Sequence, residues 1–481
     1  MSTKGIKRNL AYQSVYQIML VILPLVTTPY ISRILGAEGL GIYSFTFSVS
    51  SYFTTLAMLG TNNYGNRCIA QVRDDRSKLS KTFFEVFFLQ ILVSSVCLIA
   101  YIAYLVFFRV DHRPIAAIQA ILILAVFANI SWFFFGLEKF RLTVLFNSVI
   151  KVLSVAGIFI FVNQAADLWI YTLILALSLL VSNVILFIQL PKYIDFVLPS
   201  LHDIIRHFKP NVILFVPAIA FSVNNLLDKT MLGLLSDYQN TGYYYNVERL
   251  IKAPQGLIIG VGVVMMPRLA SMISSGNHKE SMTYLNRSLL LVVGVAIGMS
   301  FGIAAVAKDF IPLFFGDAFQ PAISITVVMS TILIFGAHGD VMRMQYLIPN
   351  EMDKEYAIAA GASAFANLIF NYLLIPTMGA MGATIGTIIA EFTLCIVQVV
   401  RVKDRAQIVR ASIKALFFVP GGFMTFGVVR LLSASLTTLG PILSVSVQAI
   451  AGAVVYLLFS AVLLYYLDRP LMTRLLKYTK R

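Results

Sequence analysis

Long apolar runs separated by short polar interruptions repeat along the whole of this 481-residue chain. A helix needs about 18 or more apolar residues in succession to cross bilayer hydrocarbon. Runs of that length recur near 9–31, 40–62, 83–107, 115–135, 142–162, 169–190, 211–235, 241–266, 287–307, 322–348, 356–376, 383–400, 412–434 and 442–467. The pattern predicts an all-α membrane protein of about 14 transmembrane helices. No polar block of about 100 residues is left over, so a separate soluble domain is not expected. The expected organisation is an N-terminal lobe over 1–205, a C-terminal lobe core over 206–400, and a last pair of spans with a tail over 401–481. Lys4, Lys7 and Arg8 precede the first run as they would in a secretory leader. The run continues to Ile31 with no small-x-small cleavage site, so it is expected to stay as the first span.

Composition agrees with that pattern. The chain is 59% apolar and 12% charged, with a mean hydropathy of +0.84, against roughly 45–50% and 25% in soluble domains. The net charge of +15 is scattered over loops. Counted from a cytoplasmic N-terminus, roughly 28 Lys and Arg fall on inside segments. Arg33, Arg109, Arg113 and Lys308 are those outside. That bias predicts that both termini are cytoplasmic and removes any need for a nucleic-acid partner. Segments 201–209 and 471–480 mix apolar and basic residues and are expected to lie along the inner membrane surface. Trp132 and Trp169, at span ends, are expected to be interface anchors.

Several kinds of chemistry lack the residues they need. Cys68, Cys97 and Cys395 form no C-x-x-C pair, and no metal-ligand spacing joins the five histidines. There is no P-loop, and GAEGLG at 36–41 lacks dinucleotide-binding spacing. No metal, cofactor or catalytic group is expected. A membrane glycosyltransferase or polymerase would carry a large outside loop with clustered charge, and the longest one here, about 308–321, is short and apolar.

An internal repeat is visible. ILGAEGLGIYSF (34–45) follows the first span and MLGLLSDYQNTGYYYN (231–246) follows the seventh, each a Leu-Gly, a short link, then Gly and aromatics. R-x-L-G-x-x-G-x-G-x-Y from Arg33 to Tyr43, D-K-x-x-L-G from Asp228 to Gly233 and I-P-x-x-G-x-x-G-A over 375–383 resemble the bacterial polysaccharide flippases of the multidrug, oligosaccharidyl-lipid and polysaccharide exporter superfamily. The resemblance implies two pseudo-repeated lobes of about seven helices around a central cavity, in the bacterial cytoplasmic membrane. It also implies movement of undecaprenyl-diphosphate-linked sugar repeat units from the inner to the outer leaflet. Its implied partners are that lipid-linked oligosaccharide, membrane lipids and the polysaccharide polymerase machinery.

The residues at bilayer depth give an independent reading. The bases are Lys151, Lys229, Arg249, Lys252 and Arg430, with Arg343 near a cytoplasmic end; the acids are Asp228, Glu248, Asp340 and Glu391. A diphosphate crossing hydrocarbon meets a Born penalty of tens of kcal/mol, which fixed cations relieve. Arg adds a bidentate grip on phosphate oxygens. Tyr245, Arg249, Lys252 and Gly256 fall at i, i+4, i+7 and i+11, one helical stripe of cations with an aromatic ring for sugar stacking. Glu248 and Lys252 are spaced to pair, and Pro254 is expected to kink the helix. Lys229 faces the cavity and Asp228 a neighbouring helix, or the reverse, since adjacent residues diverge by about 100°.

The structural alternatives are ion pairs that lock helices, for Asp228, Glu248 and Asp340, and snorkelling from a nearby span end for Lys151, with Arg430 ambiguous in the same way. Glu391, with no base within four residues, is a candidate proton or cation carrier. Pro24, Pro29, Pro217 and Pro420 suit hinges or static kinks equally. The competing transport readings are a cation-coupled drug exporter and a flippase for the peptidoglycan precursor. The acid-poor first lobe disfavours the exporter, and nothing in the residues separates the second reading.

Overall fold

The computed structural model describes the backbone of residues 3–436 and 439–472, and their side chains except at 3–18, 20, 21, 216–218, 220, 221, 223, 224 and 261. Basic residues Arg474, Lys477, Lys480 and Arg481, and the expected surface helix over 471–480 beyond Met472, lie outside the described residues, as does the side chain of Pro217. The chain divides into two compact units, 1–234 and 235–481. The described residues form helices and no strand.

The first unit contains α1 (Thr3–Met58), α2 (Thr61–Val72), α3 (Arg76–Phe107), α4 (Arg113–Phe127), α5 (Ser131–Gly136), α6 (Phe140–Phe161), α7 (Leu168–Ile188), α8 (Leu201–Ile205) and α9 (Phe208–Leu235). The second contains α10 (Tyr238–Ser274), α11 (His278–Phe315), α12 (Ala322–Met329), α13 (Ile332–Met342), α14 (Asp353–Met378), α15 (Ala380–Val400), α16 (Arg405–Leu416), α17 (Val419–Ser435) and α18 (Pro441–Leu467). Among the described residues, 11 segments are long and apolar enough to cross a membrane. They coincide with expected spans. The runs near 9–31, 40–62 and 211–235 fall on α1 and α9, whose side chains are only partly described.

The link expected between the first two spans is not a loop. Helix α1 runs through it and turns at one residue, Gly36, with φ 65° and ψ −178°. That φ is comfortable only without a Cβ, so one glycine redirects the chain while hydrogen bonding resumes on both sides. Gly60, at φ 75°, separates α1 from α2, and a Cβ there would lie 2.8 Å from the Asn211 carbonyl oxygen. Backbone approaches backbone because no side chain intervenes.

Within the first unit, α1 packs on α3, α4 and α6, and α4 on α7. The core beneath α2 is aromatic: Phe83 stacks on Trp132 at 5.4 Å and meets Phe133 edge-on at 5.0 Å. Trp132 is wholly buried, donates its indole N–H to Gln90 Oε1 at 3.0 Å, and presses so close to Gly65 that a Cβ would sit 2.5 Å from its ring. The interface-anchor expectation therefore fails for Trp132. The indole satisfies its N–H inside the protein and gains more by full burial than a headgroup-level position would give. Trp169, near the start of α7, is half exposed.

In the second unit α10 packs on α11, α12, α13 and α15, and α14 and α15 form a tight hairpin. Its turn is Gly379, φ 52°, where a Cβ would lie 2.6 Å from Asn240 Oδ1, and that oxygen accepts the Ala380 N–H at 3.1 Å. The third motif and the second repeat thus meet through Asn240. Beyond α13 the chain makes a π-helical turn, Arg343–Leu347, before α14.

Candidate functional site

Helix α10 starts at Asp237, whose Oδ1 accepts the Asn240 N–H at 2.6 Å, a cap that fixes the rotation of everything that follows. One side of the helix is then buried, at Thr241, Tyr244, Val247, Ile251 and Ile258. Tyr244 shares a 2.9 Å hydrogen bond with Thr387 on α15. The opposite side carries Tyr245, Glu248 and Arg249 half-buried and Lys252, Gly256 and Gly260 exposed. A Cβ built on Gly256 or Gly260 meets nothing within 4 Å. Cations and ring share one open stripe, as the spacing predicts. Lys252 Nζ lies 2.7 Å from Glu248 Oε1, so the expected i, i+4 pair forms. The assigned helix is unbroken across Pro254.

In the first unit, Asp228 and Lys229 are both buried. Lys229 donates to the Asn225 carbonyl at 2.6 Å. One residue on, Thr230 Oγ1 lies 3.3 Å from the Tyr52 hydroxyl of α1, and Thr55 donates to Ser222 Oγ at 3.4 Å. Gly233, the last residue of the second motif, packs so tightly on the ring of Phe45, two residues beyond Tyr43 of the first motif, that a Cβ on it would clash with the ring.

The other expected site residues are dispersed. Asp340 pairs with Arg343 at 2.8 Å, and Arg343 lies 5.9 Å from the Tyr356 ring, an arrangement that closes the π-turn on itself. Glu391 is half-buried on α15, one turn before Cys395. Arg430 on α17 is half-buried, its Nη1 without a hydrogen-bond partner among the described residues. Lys151 is exposed on α6, about 16 Å along the axis from its start. Helix α6 begins at Phe140, so Lys151 lies in the middle of the helix. No group of three or more His, Cys, Asp or Glu able to hold a metal occurs among the described residues.

One cluster was not anticipated. Glu85, wholly buried in α3, accepts from Arg206 Nη2 at 2.6 Å and meets His207 Nε2 at 2.9 Å, while the Tyr64 hydroxyl meets His207 Nδ1 at 2.7 Å. The Glu85 carboxylate raises the Arg206 guanidinium pKa, and desolvation raises that of the Tyr64 hydroxyl. A lone Glu three residues into the apolar run at 83–107 was the available signal.

A family model described as polysaccharide biosynthesis protein matches residues 6–273. The chain belongs to that family. A relative in Escherichia coli strain K12, provisionally named an O-antigen transporter, is 23% identical over 392 residues, covering 80% of this chain and 94% of its own. One in Shigella dysenteriae with the same provisional name is 21% identical over 385 residues, covering 79% and 96%. Among solved structures, the lipid II flippase MurJ in an inward closed conformation matches with TM-score 0.72 at 17% identity, covering 95% of this chain and 99% of that one. An inward-facing multidrug resistance MATE family transporter of the MOP superfamily matches with TM-score 0.59 at 14% identity, covering 87% and 99%. Membership of this polysaccharide family thus comes with the fold of the MOP superfamily flippases and transporters, in a multi-pass membrane protein.

Proposed function

We propose that the protein moves undecaprenyl-diphosphate-linked oligosaccharide repeat units from the inner to the outer leaflet of the bacterial cytoplasmic membrane by alternating access, with both termini cytoplasmic. The face of α10 meets the diphosphate. The observation that carries this reading is the stripe of Tyr245, Arg249 and Lys252 beside the open positions Gly256 and Gly260. Family membership and relatives provisionally named O-antigen transporters support the substrate class.

The chemistry is electrostatic and needs no covalent step. Before the substrate arrives, Glu248 shares the charge of Lys252 across 2.7 Å, which lowers the cost of keeping an ammonium at membrane depth. The Lys252 ammonium is the half-exposed member of the pair, so phosphate oxygens can reach it while Glu248 stays behind. The Arg249 guanidinium, in a planar fork, suits two phosphate oxygens at once. Tyr245, one turn earlier, offers a ring face to the first sugar.

The test is flipping of undecaprenyl-diphosphate sugars by purified protein in liposomes. Arg249→Ala with Lys252→Ala abolishes it while the protein still elutes as a folded species. Normal flipping by the double variant refutes the site. Exchange of a cationic dye for sodium or protons, or transport of the peptidoglycan precursor in preference to oligosaccharide repeat units, refutes the substrate class.

A further inference from the structure

The connector between α7 and α9 pairs its acids with bases and leaves a group of large apolar side chains exposed. Asp195 accepts from Arg76 Nε at 2.8 Å and Nη2 at 2.7 Å, and its own N–H donates to Ser80 Oγ at 3.1 Å. Asp203 lies 3.7 Å from both Lys81 and Arg206, and the Glu85 cluster holds Arg206 and His207 from the other side. Ile194 is buried, but four large apolar side chains turn outward: Phe196 and Leu198 are each 74% exposed, Leu201 64% and Ile205 57%. Lys192 and Lys209 flank them and are exposed.

The level of this surface follows from the helices it joins. Lys192 closes one membrane-crossing segment and Arg76 opens another, so the Arg76–Asp195 pair ties two span ends at one membrane edge. Large apolar side chains exposed at that level, bordered by lysines and with Asp195, Asp203 and Glu85 each engaged by a base, match a headgroup boundary in both polarity and charge. Water alone would leave four large apolar groups hydrated side by side.

We propose that segment 192–209 is a docking surface for anionic lipid headgroups, with Phe196, Leu198, Leu201 and Ile205 inserted at acyl depth and Lys192 and Lys209 on headgroup phosphates. The clamp on Asp195, Asp203 and Glu85 sets which face is presented. The proposal is independent of the transported substrate.

A spin label on Leu198→Cys, and separately on Phe196→Cys, tests it in full-length protein carrying Cys68→Ser; Cys97 and Cys395 are buried and escape labelling. The protein is reconstituted in vesicles of phosphatidylcholine alone or mixed with phosphatidylglycerol. Oxygen collisions are expected to exceed those of an aqueous nickel chelate, with the ratio rising at least about threefold on adding phosphatidylglycerol. Lys192→Glu with Lys209→Glu is expected to remove that rise without changing elution on size exclusion. Dominance of the nickel chelate in both vesicles overturns the proposal. So does protection from both reagents, which would show that a second copy or another protein covers the surface.

Discussion

The second half of α1 and the first half of α10 begin within the two copies of the sequence repeat, one in each unit. The one packs on α3, α4 and α6, and the other on α11, α12 and α13. Their chemistry is opposite. From Gly39 to Met58 α1 carries no charged residue but is dense in hydroxyls, and these turn back onto its own carbonyls: Thr46 to Ile42, Ser48 to Ser44, Thr55 to Ser51. Helix α10 carries Glu248, Arg249 and Lys252 within two turns. A hydroxyl can satisfy itself on the preceding turn, so α1 packs with little cost to its neighbours. An ammonium or guanidinium keeps its full charge even when it donates to a carbonyl of the preceding turn, and is best served by a carboxylate, water or an anionic ligand. A repeated fold therefore does not imply a repeated function, and the charge on α10 is where the two halves diverge.

The largest expected effect tests that divergence directly. Arg249→Ala with Lys252→Ala is expected to lower flipping in liposomes by about 100-fold or more, each cation's bond to phosphate being worth about 1.5–3 kcal/mol. Ser51→Ala with Thr55→Ala on α1 should cost less than about threefold. Comparable losses from the two pairs would erase the contrast. Next, Gly256→Leu fills the open stripe without a clash, since a Cβ there meets nothing within 4 Å. Thermal melting should hold or rise slightly, by about 1 kcal/mol of helix propensity, while flipping falls by about tenfold. Unchanged flipping would mean that the stripe faces acyl chains.

A third effect concerns packing in the first unit. Gly233→Ala drives a Cβ into the Phe45 ring and should destabilise by about 1–3 kcal/mol, read as a lower melting temperature in detergent. Phe45→Ala on top of it should lose less than Phe45→Ala alone plus Gly233→Ala alone; simple additivity would show that the two motifs do not meet there. The smallest effect is at the connector. The Arg76 guanidinium holds the Asp195 carboxyl below its ordinary value of 3.8. A carboxylate with a depressed folded-state pKa contributes stability that is present above its unfolded value and lost as pH falls through the folded one. A spin label at Val197→Cys should keep its mobility from pH 7 to pH 5 and loosen only below about 4. Loosening near pH 6 would place the titration on another group.

Charge placed along a membrane helix was readable from spacing, because a period of 3.6 puts Tyr245, Arg249 and Lys252 on one side whatever surrounds them. Charge at a helix end was not. Glu85 reads as an unremarkable residue at the start of an apolar run, and its role depends on Arg206 and His207, more than 100 residues away.

Hydrophobic run length and the absence of any long polar block suffice by themselves for an all-helical membrane protein, since bilayer thickness sets helix length without regard to neighbours. The glycines could be seen but not explained. Only tertiary structure shows that Gly36 turns a continuous helix, that Gly233 receives Phe45 and that Gly379 receives Asn240. It also decides that Trp132 is core and that Asp228 and Lys229 are both buried. Each of these is a contact between distant parts of the chain, and sequence spacing carries no information about which surface a residue will be pressed against.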